Sequence, residues 1–390
     1  MKQRFYSLDV FRGATVAFMI LVNNPGTWEH IFTPLEHAPW HGCTPTDMVF
    51  PFFLFAVGNA MAFVFSNLQS SGDAPFLKKI FKRAALIFLI GLFLNWFPFV
   101  RWNESNLVFK YWVSHENPEN GIRILGVLQR IALCYFFASI IIYYFKIRGA
   151  IWFSVILLFG YWLLCFFLGG SPDPYSMQGY FGLNIDKAVL GIPHMYKGEG
   201  VPFDPEGITS TIAAIVQVIY GYLVGNYILK KGMSYEMLSN LFFAGCILLF
   251  AGYCWDMSFP LNKKIWTSSF TIFTSGMATV VLSVFIYLIE FNNFRGAWST
   301  FFNAFGKNPL FVFILSGLIP RLLGLVRWQI GVDEKGAIKY DSPLPWFYEH
   351  VCKPVSSNLK IGSLLYALIT VSFFWLICYW LDKKKIYVKV

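Results

Sequence analysis

Residues 48–68 read MVFPFFLFAVGNAMAFVFSNL, a run without one charged side chain. As a helix rising 1.5 Å per residue, a stretch of that length covers about 30 Å, the thickness of a bilayer's hydrocarbon core. Comparable runs recur at about 10–27, 81–100, 122–145, 150–169, 208–229, 238–257, 269–290, 302–325 and 360–381. The 390-residue chain is 56% hydrophobic and 13% charged, against about 25% charged in soluble domains. The runs are unbroken rather than short and alternating, which excludes an outer-membrane barrel. The expected fold is all-α: a polytopic membrane bundle of about ten transmembrane helices, forming a single domain over 1–390. The first run has no A-x-A-like cleavage site and is expected to stay as the first helix.

The connections divide by charge. One set holds Lys2, Arg4 and Arg12; Lys78, Lys79, Lys82 and Arg83; Lys146 and Arg148; Lys230 and Lys231; Arg295; and Lys383, Lys384, Lys385 and Lys389. Short basic connections face the cytoplasm, so both termini are expected there. The opposite loops, 101–121, 170–207 and 326–359, are longer and carry most of the carboxylates. The Gly-, Pro- and Tyr-rich loop 170–207 is too long to be a mere connector and is expected to fold over the outer mouth of the bundle. The basic residues are scattered over short loops, so nucleic acid is not an expected partner. The seven cysteines form no C-x-x-C and read as packing residues, with no metal expected.

Residues 35–47, LEHAPWHGCTPTD, precede the fold-deciding run. They place His37 and His41 around Trp40, with Asp47 ahead of the helix. All six histidines fall in predicted outer loops. Imidazole moves protons near neutral pH, which points acid–base chemistry to that side. Asp47 reads as an N-cap that can also orient a histidine. The first helix meets Asn23-Asn24-Pro25-Gly26 early. Broken backbone at that depth is tolerated where it is buried in protein or lines a cavity, so Asn23 is either a capped helix end or an amide at a reaction centre. Gln129 and Arg130 lie inside an apolar run, where a charge marks function by default. Arg12 follows Asp9 by three residues and either pairs with it or meets a phosphate. Asp204 and Glu206 suit the start of a helix or a hydroxylated, cationic ligand. Lys263, Lys264 and Trp266 sit at the outer mouth of the eighth run, as interface anchors or ligand contacts. No Walker, Rossmann, HExxH or GxSxG motif is present, which argues against an ATP-driven pump.

The ordered motifs SLDVFRG (7–13), LVNNPG (21–26), EHAPWHGCTPTDMVFPFFLFAVG (36–58), GVLQRIA (126–132), FDPEGI (203–208) and PLNKKIWTSS (260–269) resemble the heparan-α-glucosaminide N-acetyltransferase family of membrane acetyltransferases. The match runs from about residue 5 to 310. The resemblance implies transfer of acetyl from cytosolic acetyl-CoA, across the membrane, to the amine of a glucosamine-type sugar. It carries the family's active-site histidine onto His37 and its Val-Asn pair onto Asn23. The chain departs at His41, where the family has asparagine, so His41 inherits no role. The family's lysosomal member has an additional N-terminal region and helix, and the acceptor is left open.

On this reading His37, Asn23 and Asp47 are catalytic, and Arg12, Gln129 and Arg130 meet acetyl-CoA. Trp40, Asp204, Glu206, Lys263 and Trp266 hold the acceptor. The expected partners are an amino sugar or glycan and a lipid bilayer, with a homodimer left open. The expected place is a bacterial inner membrane, with the active-site loop facing the periplasm. Two alternatives stand beside it. A sugar or amino-sugar transporter can use broken helices and buried charges equally well but has no need of the histidines. An O-acetyltransferase acting on a surface or cell-wall glycan keeps the mechanism and changes the acceptor.

Overall fold

The computed structural model describes residues 5–69, 72–332, 336 and 338–388; Lys2, Arg4 and Lys389 lie outside them. Helices α1 (Tyr6–Asn23), α2 (Val49–Gln69) and α3 (Asp73–Trp96) open the chain. A hairpin follows, β1 (Val100–Asn103) with β2 (Asn106–Phe109), and then α4 (Val127–Leu168). The outer segment holds α5 (Gly182–Leu190) and leads to α6 (Thr211–Lys231), α7 (Tyr235–Asp256) and α8 (Ser268–Ile286). Then come α9 (Ala297–Lys307) and α10 (Pro309–Leu323), bent by 80° across Asn308. A second hairpin, β3 (Trp328–Val332) with β4 (Ile338–Asp341), precedes α11 (Pro343–Phe347) and α12 (Leu359–Lys383).

A helix is present at every expected run, but fewer qualify as spans. Among the described residues six helices are long and apolar enough to cross a membrane, or seven if the α9–α10 pair is one span. One reason is α4, whose 42 residues merge the runs expected at 122–145 and 150–169. Its backbone leaves helical geometry at Lys146 (φ 56°, ψ −166°). Another is charge: α3 begins with Asp73, Lys78, Lys79, Lys82 and Arg83, and α1 carries Asp9 and Arg12. The first helix also ends four residues before the expected 27. Asn24 precedes Pro25, and the residue before proline is pushed out of the helical region. Loops 101–121 and 326–359 contain the two hairpins, whose strands are too short to have shown in hydropathy.

Two helix crossings fix the frame around the site, and both depend on absent side chains. A Cβ on Gly58 of α2 would lie on the Val218 carbonyl of α6, and one on Gly221 would lie on the Phe55 carbonyl. Likewise a Cβ on Gly13 of α1 would meet the Phe302 carbonyl of α9, and one on Gly306 the Asp9 carbonyl. Between apolar helices in lipid the attraction is packing rather than water exclusion, so close backbone approach through small residues supplies the contact. Overpacking such a crossing costs about 1–3 kcal/mol or more. Gly221→Leu is therefore expected to lower the melting temperature in detergent and the yield of folded protein, as read by thermal melting and size-exclusion profile.

Candidate active site

The loop from Glu36 to Met48 is organised around Asp47, which is 1% exposed. Thr44, not Asp47, is the N-cap of the 3-10 turn Pro45–Met48 that leads into α2, and Asp47 is the box residue three positions on. The N–H groups of Thr44 and Ala38 each donate to Asp47 Oδ2 at 3.0 Å. The Thr44 hydroxyl lies 2.7 Å from the Glu36 carbonyl and 3.0 Å from the same Oδ2. The other carboxylate oxygen lies 2.7 Å from His37 Nδ1. A buried carboxylate in that position accepts from Nδ1–H, and this tautomer leaves the lone pair on Nε2.

Lys263 completes the cluster. Its Nζ is 3.1 Å from His37 Nδ1, 3.4 Å from Nε2 and 3.6 Å from Asp47 Oδ1. The turn that presents it is fixed by Asn262, whose side chain accepts the Ile265 N–H at 3.0 Å and whose carbonyl accepts the Thr267 N–H at 3.0 Å. Burial lowers the Lys263 pKa, against the opposing pull of Asp47 and Glu206. The next lysine, Lys264, pairs with Glu199 at 2.5 Å and donates to the Pro39 carbonyl at 2.9 Å. Neither lysine is a lipid-facing anchor. Trp266 is 1% exposed, against Phe50 and beneath Arg130.

These groups line one cavity of about 280 Å³, together with Asn23 at the end of α1, Trp40, Arg123, Tyr196 and Glu206. Trp40 is held by its indole N–H donating to the Tyr175 carbonyl at 2.9 Å. So the 170–207 segment supplies both a brace for Trp40 and part of the wall. Asp204 stands one step behind the wall. It takes Arg123 Nε at 3.1 Å and Nη2 at 2.5 Å, and Glu206 takes the same Nη2 at 2.5 Å. The two carboxylates are thus joined to a cation of the protein itself, Arg123. His41 lies 3.4 Å from the Asn262 amide and outside the cavity wall. Of the remaining histidines, His194 is buried against Trp112 with Nδ1 2.7 Å from the Ile122 carbonyl.

The three residues expected to meet the coenzyme are separated. Arg12, which bonds Asp9, lines a different, mostly apolar cavity of about 390 Å³ with Thr15, Phe65, Arg83 and Tyr135, toward the N-terminal end of α1. Phe53 and Ile131 belong to the walls of both this cavity and the first. Gln129 lines a polar cavity on the far side of Asn23. Arg130 is buried and lines neither large cavity. It donates to the Gly207 carbonyl at 3.2 Å and to the Ser210 hydroxyl, and its Nε and Nη1 have no hydrogen-bond partner among the described residues. Its role in the architecture is to anchor the start of α6.

Beside Arg130 lies Asp186 of α5, 2% exposed, accepting the Ile208 N–H at 2.9 Å. Burial, with the nearby charge of Asp204, pushes its pKa up from 3.8 to about 7. A carboxyl raised on folding binds more protons in the native state, so stability falls as pH rises between those two values. Asp186→Asn is expected to flatten the loss of melting temperature between pH 5 and pH 7.5, as read in detergent at matched ionic strength. Sequence reading passed over Asp186, Arg123, Tyr196 and Glu199. Arg123 stands at the very edge of the expected run 122–145, where a cation is ordinary, and Asp186 in NIDKAV offered no signal.

Residues 4–175 match the family model described as heparan-alpha-glucosaminide N-acetyltransferase, catalytic. The chain is 27% identical over 367 residues to the Homo sapiens heparan-alpha-glucosaminide N-acetyltransferase, covering 80% of this chain and 52% of that protein. It is 25% identical over 366 residues to the Mus musculus protein of the same name, covering 80% and 53%. The chain thus matches about half the length of these curated relatives. Its site motifs in 7–58 and 126–132 lie inside the family-model match. On these matches the chain is similar, over residues 4–175, to the family described as heparan-alpha-glucosaminide N-acetyltransferase, catalytic.

Proposed function

We propose that this chain is a transmembrane acetyltransferase that carries acetyl from acetyl-CoA to the amine of a glucosamine-type acceptor. The observation that supports this most is His37, tied through Nδ1 to buried Asp47 and set in the wall of a cavity with Asn23 and Lys263. A carrier protein has no need of an oriented imidazole; an acyl transferase does. A protonated amine cannot attack a thioester, and Nε2 of His37 takes that proton. The neutral amine nitrogen then bonds to the thioester carbon, and the carbonyl electrons move to oxygen. The Asn23 amide and the Lys263 ammonium are the donors available to that oxyanion; one such donor is worth about 3–4 kcal/mol in soluble enzymes. Collapse breaks the carbon–sulfur bond, the departing thiolate recovers the proton from His37, and the imidazole so freed takes the second proton from the new amide nitrogen and passes it to water. Asp47 holds the ring and stabilises its cationic form throughout.

For acetyl-CoA, the cavity bounded by Arg12 and Arg83 suits the molecule's chemistry. Two guanidiniums are placed for phosphates, and an apolar bore beyond them is suited to the pantetheine arm. That bore ends at Phe53 and Ile131, the wall shared with the His37 cavity. On this reading Trp40, Glu206 and Trp266 contact the sugar, while Asp204 and Arg130 position the wall rather than touch ligand. The remaining architecture proposed is a single unit of ten spans with cytoplasmic termini, segment 170–207 over the outer mouth and the acceptor side facing the periplasm. It follows from the Lys and Arg asymmetry of the connections.

Two measurements test the proposal. His37→Ala is expected to lose at least about 100-fold in acetyl transfer to glucosamine, the scale of general acid–base catalysis. Its CoA-dependent rise in melting temperature should persist, and His41→Ala should keep most transfer. Near-normal transfer by His37→Ala would remove the central residue. Separately, CoA should raise the melting temperature of the solubilised protein, because a ligand bound only by the folded state stabilises it. Arg12→Ala combined with Arg83→Ala should shrink that rise. No rise at millimolar CoA would favour a transporter.

A further inference from the structure

Past Asn23 the His37 cavity adjoins the polar cavity of about 260 Å³, and this adjoins a groove of about 300 Å³ beside the first hairpin. Asn23, Arg123 and Val127 are common to the first two, and Asn95 and Arg123 to the last two. Cations mark the path: Arg321 of α10 in the polar cavity, then Lys110 and Arg101 in the groove. Arg101 pairs with Glu116 at 3.1 Å. Among the described residues, Lys110 and Arg321 have no carboxylate at salt-bridge distance, and Arg321 donates only to the Gly317 carbonyl of its own helix, at 3.2 Å. Burial lowers the Lys110 pKa, and the like charges of Arg321 and Arg101 lower it further. Lys110 and Arg321, without a carboxylate partner among the described residues, favour an anion between them.

The rim of the groove is of a different character. Phe109 and Tyr111 line it while remaining 48% and 52% exposed. Leu107 and Trp112 are exposed nearby, as is Phe93 in the last turns of α3. Aromatic and apolar side chains beside cations, at the end of a largely apolar helix, are the composition of a bilayer interface.

We propose that the groove binds the phosphate of a lipid-linked amino sugar. The amine lies at His37, the phosphate between Lys110 and Arg321, and the lipid chain leaves past Phe109 and Tyr111. This rests on the acetyl-transfer reading and narrows its acceptor to a membrane-borne one.

The test uses the purified protein with three acceptors: glucosamine, glucosamine 1-phosphate, and a dodecyl phosphodiester of glucosamine. kcat/KM is expected to rise about tenfold with the phosphate, equivalent to one good ionic contact, and again with the dodecyl chain. Lys110→Gln with Arg321→Gln should bring the phosphate-to-glucosamine ratio close to one. Lys110→Arg should keep it, which separates lost charge from lost folding. Equal kcat/KM for glucosamine and its phosphate in the unmodified protein would overturn the anion site. A gain from phosphate with none from the dodecyl chain would overturn the lipid anchor. Should no acceptor be acetylated, the acetyl-transfer reading fails on its own, and the anion site is judged by melting. A rise with glucosamine 1-phosphate that the double variant loses sustains it, and no rise overturns it.

Discussion

Asp47 has a carboxylate almost out of reach of water, and the first outer loop is arranged to replace what water would give it. Two backbone N–H groups, from Ala38 and Thr44, serve one oxygen, and the imidazole of His37 serves the other. A buried charge without such partners costs several kcal/mol, so the loop's path from Glu36 to Met48 and the orientation of the ring are settled together. Asp47 can stand there only because it closes the turn that starts α2. The position of α2 is fixed in turn by its glycine crossing with α6. The geometry of the proposed site is thus referred back, through a 3-10 turn, to a close helix crossing.

A second set of charges performs the same service on the opposite wall. Arg123 gathers Asp204 and Glu206, and Arg130 holds Gly207 and Ser210. Both arginines lie in or beside the start of α4, and both grip the short stretch that enters α6. The wall formed by Tyr196, Glu199 and Glu206 is therefore attached to the bundle by charge-assisted bonds. Such bonds are stronger and more directional than neutral ones. Lys264 adds a further tie by joining Glu199 to the Pro39 carbonyl of the histidine loop.

Much of this was legible in the sequence, for reasons that differ from residue to residue. Apolar run length revealed the helices, because burying a hydrogen-bonded backbone in hydrocarbon demands it. It could not count the spans. The break at Lys146 and the charged first half of α3 decide which helices qualify, and neither alters an averaged hydropathy much. Asn23 was legible because Pro25 stops a helix at a predictable place. The closeness of His37, Asp47 and Lys263 was not a matter of composition, since Lys263 lies more than two hundred residues further on; sequence reading placed it only at the outer mouth of the eighth run. Arg130 was singled out correctly as buried, yet burial alone could not say whether it faced a ligand or the protein. The hairpins and Asp186 gave no signal, as short strands and a single carboxylate in a nine-residue helix are too local to register.

The His37 cavity and the Arg12 cavity share Phe53 and Ile131 as lining, and both side chains are hydrocarbon. An ion could pass that shared wall only by shedding its hydration, which costs far more than thermal energy supplies. A membrane that stores energy as an ion gradient can therefore hold this protein without being short-circuited. On the acetyl-transfer proposal, only the acetyl thioester end of the coenzyme enters this wall, and that end is small, uncharged and apolar.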